Sequence, residues 1–261
     1  MKKYIFMAAA LMMMGMGMSS CSNDDVINEV EQTPKKVQLT LTASFDMGGE
    51  TRAVWDTDGT TPKFSVGDKV GVYSDNQSTA QYLTVQSVDA SGATLTGEVT
   101  EATEYHLVFP YKESTSYNKS ASPKTITGFA DFALQQNAYP STALHYAKLS
   151  SLSTKASFKP LCAILKCSRT TDFEDMLKSA YIRSAQILSP VINITNDGAA
   201  VVATIKDCER QNGYQLNNSG NTTYFPVAPG SVTLSSDWSG GMTKTATVAV
   251  GKIYNINMSM D

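Results

Sequence analysis

The chain of 261 residues is poor in cysteine, with four in all. Cys21 follows an apolar leader, which leaves Cys162, Cys167 and Cys208 in the rest of the chain. Because an odd number of cysteines cannot all pair, the pattern excludes a disulfide-stapled scaffold. We interpret these three cysteines as small, buried hydrophobic residues.

Histidine is scarcer still, and the familiar catalytic motifs are absent. His106 and His145 have no cysteine or acidic cluster at ligand spacing, so we predict no metal site. Asp56–Gly59 begins like a calcium loop but lacks acids at the later ligand positions, which favours a turn. Without a phosphate loop, nucleophile elbow or dinucleotide fingerprint, we expect neither a cofactor nor an enzyme. A hydrolase built from carboxylates distant in sequence is a third alternative.

An excess of positive charge is also missing. The chain carries 21 Lys and Arg against 24 Asp and Glu, and Lys2 and Lys3 belong to the leader. The 19 basic residues that remain against the same 24 acids give a formal net charge of −5. Nucleic acids require a basic face, so we predict no nucleic-acid partner.

The one long apolar run lies at the start of the chain. Lys2 and Lys3 precede an apolar stretch at 4–18, which is too short and too one-sided for a membrane-spanning helix. With Met18-Ser19-Ser20-Cys21 behind it, the stretch predicts a lipoprotein signal peptide at 1–20 and a lipid anchor on Cys21. Residues 21–34 are interpreted as an acidic, lipidated tether. The alternative is an ordinary secreted protein with an incidental cysteine.

What the rest of the chain does have is short segments of period two, which predict a nearly all-β protein. Val37 to Phe45 alternates apolar and polar residues over about nine positions. The other predicted strands are 70–73, 81–88, 93–99, 105–109, 158–167 with a break at Pro160, 191–195, 199–205, 224–227, 231–234, 245–250 and 252–260. Residues 111–128, rich in Ser, Lys and Pro, are interpreted as a surface loop.

The polar segment 168–174 is the best candidate for a domain boundary. Thr171 and Glu174 have capping-box spacing, which allows at most a short helical turn. Strands resume beyond it at high density, with turn residues between them. We therefore predict an N-terminal β-sandwich at 35–168, a linker at 169–175 and a C-terminal β-sandwich at 176–261.

The first and last predicted strands each have one apolar face. These faces comprise Val37, Leu39, Leu41, Ala43 and Phe45 in the first strand and Tyr254, Ile256, Met258 and Met260 in the last. A strand at a chain end can leave its sheet at the cost of one segment, and the groove left behind can take a strand from another subunit. We predict a displaced N-terminal strand and a candidate C-terminal donor strand. The alternative is that both are ordinary sandwich strands.

The segment after the first strand has the features of a cleavable loop. Residues 47–55 begin with Met-Gly-Gly and contain a single arginine, Arg52, next to the small Ala53. A cut between Arg52 and Ala53 would free the lipid anchor together with the whole first strand. The alternative is a loop arginine with no special role.

Taken together, these features resemble the fimbrillin-like lipoproteins, the type V pilins of Bacteroidota. The resemblance extends over most of the mature chain and depends on the order of its pieces. These are Cys21 with its acidic tether, 39–45 followed by Thr51-Arg52-Ala53, 64–73, Phe109-Pro110-Tyr111, 158–165 and 250–256.

The resemblance implies two transthyretin-like (Ig-like Greek-key) β-sandwich domains in tandem. It also implies export to the outer membrane and cell surface as a lipid-anchored precursor, and removal of the first strand by an arginine-specific protease. Assembly into a fimbria would follow, by β-strand addition between identical or paralogous subunits. Adhesion to a host or bacterial surface receptor is the expected outcome.

The alternative function is a monomeric surface lipoprotein that binds a glycan or a host protein. Exposed aromatic rings can stack on the apolar faces of sugars, and the candidates are Trp55, Tyr111, Tyr117 and Trp238. For each of these side chains, a place in the core is the interpretation that we favour.

Overall fold

The structure is a computed structural model, and it describes residues 34–46, 62–77, 79–129, 143–169, 180–182, 191–196, 198–202, 214–215, 222–236 and 243–258. Every regular element in these ranges is a β-strand, so the predicted all-β class is confirmed. All of them belong to one unit, Pro34–Asp261. Within the described ranges, no helix has the length and hydropathy needed to cross a membrane.

Seven strands from the first part of the chain form a closed barrel. They are β1 (Lys36–Phe45), β2 (Lys69–Tyr73), β3 (Gln81–Asp89), β4 (Gly92–Thr100), β5 (Glu104–Phe109), β8 (His145–Ser150) and β9 (Lys155–Pro160). Their order around the barrel is β1-β4-β3-β2-β5-β8-β9. The barrel is closed by β1 and β9, which run parallel, whereas its other neighbours are antiparallel.

Three smaller sheets complete the described part of the chain. Their strands are β6 (Ser116–Asn118), β7 (Lys124–Thr127), β10 (Ala163–Arg169), β11 (Ala180–Ile182), β12 (Val191–Thr195), β13 (Gly198–Val202), β14 (Tyr214–Gln215), β15 (Thr222–Val227), β16 (Gly230–Ser236), β17 (Thr243–Val248) and β18 (Ile253–Met258). The sheets have the orders β15-β10-β18, β14-β11-β16-β17 and β13-β12-β7-β6. The tandem pair of sandwiches is not confirmed, because β1 reaches β9 and closes the first sheet on itself.

Two clusters of buried hydrophobic residues form the core. The first fills the barrel and includes Leu41, Leu83, Leu95 and Phe158. The second joins side chains from barrel strands, such as Tyr73 and Val108, to side chains from β7, β10, β12 and β18. This arrangement buries Val70–Tyr73 and Tyr105–Phe109 without alternation, as expected for strands that are covered on both faces.

Two details differ from the sequence prediction. Residues 111–128 are not a simple surface loop, because β6 and β7 lie there and Ile126 is fully buried where β7 pairs with β12. The apolar run 158–167 is two strands rather than one, since β9 ends at Pro160 and β10 begins at Ala163. Proline cannot donate to a ladder, which fits a strand end at that position.

The boundary at 169–175 stays a prediction. Strand β7 lies before it and β12 after it, and the two strands pair from Ile126 opposite Ile192 to Lys124 opposite Ile194. The second hydrophobic cluster likewise contains residues from both sides of the boundary. Segments assigned by sequence to different sandwiches therefore share a sheet and a core.

Candidate functional site

Strand β1 lies between β4 and β9 in the barrel wall. Eight of its residues, Lys36 to Ala43, pair with β4, whereas only Thr42 to Phe45 pair with β9. The backbone N–H groups of Thr42 and Asp46 donate to the carbonyl oxygens of Thr154 and Phe158, at 2.9 and 2.8 Å. Removal of β1 would therefore open the barrel between β4 and β9.

The inward face of β1 is the one that the sequence pattern predicts. Leu39, Leu41 and Ala43 are buried in the barrel core, with Val37 and Phe45 packed against it. On the outward face, the Gln38 side chain donates to the Thr96 hydroxyl at 2.7 Å, and the Thr40 hydroxyl lies 3.1 Å from that of Thr96. The gap between β4 and β9 that β1 fills is called its slot below. The strand is held there by apolar contacts inside the barrel and by hydroxyl and amide contacts outside.

A row of three alanines crosses the slot near the C-terminal end of β1. Ala43 of β1 lies opposite Ala93 of β4 and Ala156 of β9, and all three side chains are buried. On the β4 side, a Cβ placed on Gly92 would collide with the carbonyl oxygen of Ala43. The main chain of β1 therefore sits close to the turn that begins β4.

Next to the alanine row, β1 ends in an aromatic cluster. The ring of Phe45 stacks on Phe64 with centroids 4.4 Å apart and lies 5.8 Å from Phe109 and 6.1 Å from Phe158. Phe45 packs against both hydrophobic clusters. Aromatic pairs at such distances stabilise beyond the area they bury, so Phe45 is a main point of attachment for β1.

The parallel pairing of β1 with β9 is marked in the sequence by a repeat that the alternation of apolar and polar residues did not reveal. The tripeptide Ala-Ser-Phe occurs at 43–45 and again at 156–158, and the two copies lie side by side in parallel register. Both serines are exposed, while Ala43, Ala156 and Phe158 are buried. Identical triplets in the first and last strands of the barrel mark where it closes.

His145 lies against this end of β1. Its ring is 4.8 Å from that of Phe45 in an edge-on arrangement, its Nδ1 lies 2.7 Å from the carbonyl oxygen of Ala143, and its Nε2 has no hydrogen-bond partner. Burial lowers the pKa of His145 to about 4, since a charged imidazolium is poorly solvated there. The neutral form is therefore the one that fits beside Phe45.

The predicted donor strand, β18, is the edge strand of the sheet β15-β10-β18. It runs parallel to β10, with Ile253 opposite Ile164 and Met258 opposite Arg169. Ile253 is buried, whereas Tyr254 and Ile256 are half-buried. In this chain, β18 is thus paired through its β10 side.

Several predicted site residues lie outside the described residues. These are Cys21, Arg52, Ala53, Trp55, Trp238 and Met260, and the side chain of Met258 is likewise not described. Lipidation at Cys21, processing at Arg52–Ala53 and the roles of the two terminal strands remain predictions. Of the described cysteines, Cys162 is a buried free thiol, and burial raises its pKa to about 12.

His106 belongs to a polar network that sequence reasoning did not identify. Its Nδ1 lies 2.8 Å from the Tyr146 hydroxyl, and its Nε2 lies 3.5 Å from Glu104, which also pairs with Lys148 at 2.8 Å. Burial lowers the pKa of His106. No group of three or more metal-ligating side chains occurs in the part of the chain that the structure describes.

The two described tyrosines of the alternative function differ in their surroundings. Tyr117 donates a hydrogen bond to Asp75 at 3.0 Å, and Lys124 pairs with the same carboxylate at 2.6 Å. Tyr111 is half-buried and lies 5.1 Å from the ring of Tyr82, which is 41% exposed and has Lys69 4.1 Å above it. Of these two tyrosines, Tyr111 is the one that lies beside an exposed ring, that of Tyr82.

No protein-family model and no curated protein matches the chain. Solved structures do. A candidate cell adhesion protein from Bacteroides uniformis has 15% sequence identity and a TM-score of 0.50, with 85% of this chain and 93% of that chain covered. A candidate cell adhesion protein from Bacteroides ovatus has 16% identity and a TM-score of 0.44, over 85% and 92% of the two chains.

The tip fimbrial protein Mfa3 from Porphyromonas gingivalis, with a C-terminal truncation, also matches. It has 9% identity and a TM-score of 0.36, with 82% of each chain covered. At such low sequence identities, these matches indicate a shared fold. That conclusion rests on the Bacteroides uniformis protein, with its TM-score of 0.50. The resemblance to fimbrillin-like proteins is confirmed at this level: the chain has the fold of a Bacteroides protein described as a candidate for cell adhesion.

Proposed function

We propose that this chain is a pilin-like subunit of an adhesive surface fimbria that assembles by strand exchange. It would be exported as a lipoprotein anchored through Cys21 in the outer membrane and processed between Arg52 and Ala53. The observation that carries the proposal is the position of β1. It is an intact barrel strand with a fully apolar inner face, joined to β2 only through the segment that contains Arg52.

The contacts of β1 suit a strand that is first held and then replaced. A cut at Arg52 leaves β1 attached by its ladders to β4 and β9, by its inward side chains and by the contacts of Gln38 and Thr40 with Thr96. Each fully buried leucine contributes about 1.5–3 kcal/mol, so the strand does not leave by itself at an appreciable rate. Another strand with a similar apolar pattern could make the same contacts, and the rest of the barrel core would not have to rearrange.

The opened slot would present unpaired backbone groups on both β4 and β9. Such edges are templates for β-strand addition. A donor strand from another subunit, identical or paralogous, would close the barrel again and join the two subunits. The fimbrial and adhesion descriptions of the fold relatives support a surface role of this kind.

Timed digestion with an arginine-specific protease tests the proposal. We expect residues 22–261 to yield a new terminus at Ala53 and then a ladder of multimers on unheated denaturing gels when partner subunits are present. The variant Arg52→Ala should give neither product. The variant Arg52→Lys, digested with the same arginine-specific protease, is the matched control, since it keeps the positive charge and should likewise give neither product.

A second candidate function is supported by one observation, the Tyr82–Tyr111 pair, in which Tyr82 is exposed and Tyr111 is half-buried. Paired rings of this kind can stack on the apolar face of a sugar. Binding of a glycan array by the uncut monomer, abolished in Tyr82→Ala but not in Tyr117→Ala, would favour a glycan-binding lipoprotein. Multimers formed only after cleavage would favour the pilin-like subunit.

A further inference from the structure

We infer that the slot of β1 selects a donor strand with a small residue followed two positions later by an aromatic residue, and that this chain's own C-terminal strand does not fit it. The inference rests on the proposed function and names its partner. The donor is a strand of another kind of subunit, with the apolar pattern large, large, small, aromatic.

The small position is set by Ala43. Its side chain is fully buried between Ala93 and Ala156, in a barrel interior that is filled by the first hydrophobic cluster. Protein interiors are packed as densely as organic crystals, so a larger side chain there must displace its neighbours. The near contact between Gly92 and the carbonyl oxygen of Ala43 also limits how far the strand can shift towards β4.

The aromatic position is set by Phe45. Its ring fills a site lined by Phe64, Phe109, Phe158 and His145. A donor without an aromatic side chain at this position would leave that site partly empty. An unfilled apolar site costs the contacts of every side chain that lines it.

The chain's own C-terminal strand cannot meet both conditions in any register. Its apolar face is Tyr254, Ile256, Met258 and Met260, in which every member is large. The opposite face would place Asn255 and Asn257 in the core, and a shift towards the N-terminus would bring Lys252 to the alanine position. A shift in the other direction brings Met260, another large side chain, to the alanine position. The slot and the tail of one chain are therefore mismatched, which favours assembly from different subunits.

Strand exchange with peptides tests this inference. Residues 22–261 are prepared with a specific protease site inserted in segment 47–61, so that opening does not depend on Arg52. After cleavage, the N-terminal fragment remains bound through β1. Fluorescent peptides are then added, and their uptake is followed by anisotropy and the loss of the fragment by mass spectrometry.

Four peptides decide the outcome. The first copies residues 36–46, and the second copies the tail, 252–261. The third is the tail with Met258→Ala and Met260→Phe, which gives the order large, large, small, aromatic. The fourth is the tail with Met258→Phe and Met260→Ala, which has the same composition in the wrong order.

We expect the copy of 36–46 to bind, the tail to bind about 30-fold more weakly, and only the third peptide to recover most of the difference. Equal binding of the tail and the copy of 36–46 would overturn the inference and leave the proposed strand exchange intact. Equal gains for the third and fourth peptides would also overturn it. If the copy of 36–46 itself never enters, β1 is not exchangeable, and both the inference and the proposed function are wrong.

Discussion

Strands β1 and β10 have the same arrangement of neighbours, but the residues that flank them differ in burial. Strand β1 lies between antiparallel β4 and parallel β9, and β10 lies between antiparallel β15 and parallel β18. Each parallel contact includes an equivalent bond of 2.9 Å, from Thr42 N–H to the Thr154 carbonyl and from Ile164 N–H to the Lys252 carbonyl. In the barrel, β1 is thus held by the last barrel strand, β9. In the sheet β15-β10-β18, β10 is held by the last strand of that sheet, β18.

The attachments at the strand ends differ. Strand β10 follows β9 through Leu161 and Cys162, which are buried and bonded through their backbones to Leu144 and Gly251. The residues that flank β1, Lys35 and Asp46, are also bonded through their backbones, to Glu101 and Phe158, but both are exposed. Similar ladders thus occur on a strand with a buried connection and on a strand with exposed flanks, and the proposed strand exchange concerns the second kind.

The largest expected effect comes from matched truncations in the two first strands. Leu41→Ala in β1 and Ile164→Ala in β10 each remove a side chain that is at most 3% exposed. Each should lower the free energy of unfolding by about 2–5 kcal/mol in urea titrations of the uncut chain. In the chain cleaved within 47–61, only Leu41→Ala should accelerate loss of the N-terminal fragment. Equal acceleration by Ile164→Ala would show that the two pairs are not independent.

Acid should weaken the β1 region through His145. The pKa of this buried histidine is lowered to about 4 from its ordinary 6.5, so the unfolded chain binds a proton that the folded chain does not between these values. Stability from this site is complete above pH 6.5 and falls as the pH drops towards 4. We expect a loss of about 2 kcal/mol by pH 4.5.

The variant His145→Gln should remove that part of the pH dependence in urea titrations at pH 7 and 4.5. His106→Gln is the control, since the pKa of His106 is also lowered by burial but its ring contacts Tyr146 and Tyr117 rather than Phe45. Fragment release should become slower at acid pH, relative to wild type, only in His145→Gln. If both variants respond alike, His145 has no special link to β1.

A smaller effect is expected from a glycine beside β1. Gly92 has a φ of +135°, and a Cβ there would strike the Ala43 carbonyl oxygen. Gly230 has a similar φ of +126° with no atom within 4 Å of the added Cβ. Both changes to alanine carry backbone strain, but Gly92→Ala should cost about 1–2 kcal/mol more and loosen β1. Thermal unfolding of the two variants measures the difference, and equal costs would argue against a tight contact.

The sequence predicted which residues of β1 face inward, but not what they meet. Period two assigns Leu39, Leu41 and Ala43 to one face because successive side chains point to opposite sides of a strand. It does not say which strands are neighbours. The β1–β9 contact joins residues more than a hundred positions apart, so barrel closure, the alanine row and the Phe45 cluster were not predicted.

The same limit explains the error at 111–128. Polar composition there indicated a loop, yet Ile126 is buried because β7 pairs with a strand that begins at Val191. Short strands have too few residues for a clear alternation, and their place in a sheet is set by distant partners. The repeated Ala-Ser-Phe triplet was the one local signal of a long-range contact.

The smallest effect is expected at the start of β1, and it tests whether that end is held by charge. Lys35 Nζ lies 3.1 Å from Glu101, with side-chain exposures of 73% and 52%. An ion pair so exposed is worth about 0.5 kcal/mol or less, and salt screens it. The backbone N–H of Glu101 also donates to the Lys35 carbonyl at 2.8 Å, and this bond survives a side-chain change.

Glu101→Gln should therefore leave fragment release from the cleaved chain within about twofold of wild type, at both low and high salt. Glu98→Gln is the matched control, because Glu98 is an exposed acid on β4, three residues before Glu101 and opposite Gln38. A tenfold faster release in Glu101→Gln alone, abolished by salt, would show that an electrostatic clamp holds this end. The N-terminal end of β1 would then be held by charge, in addition to the ladders along the strand.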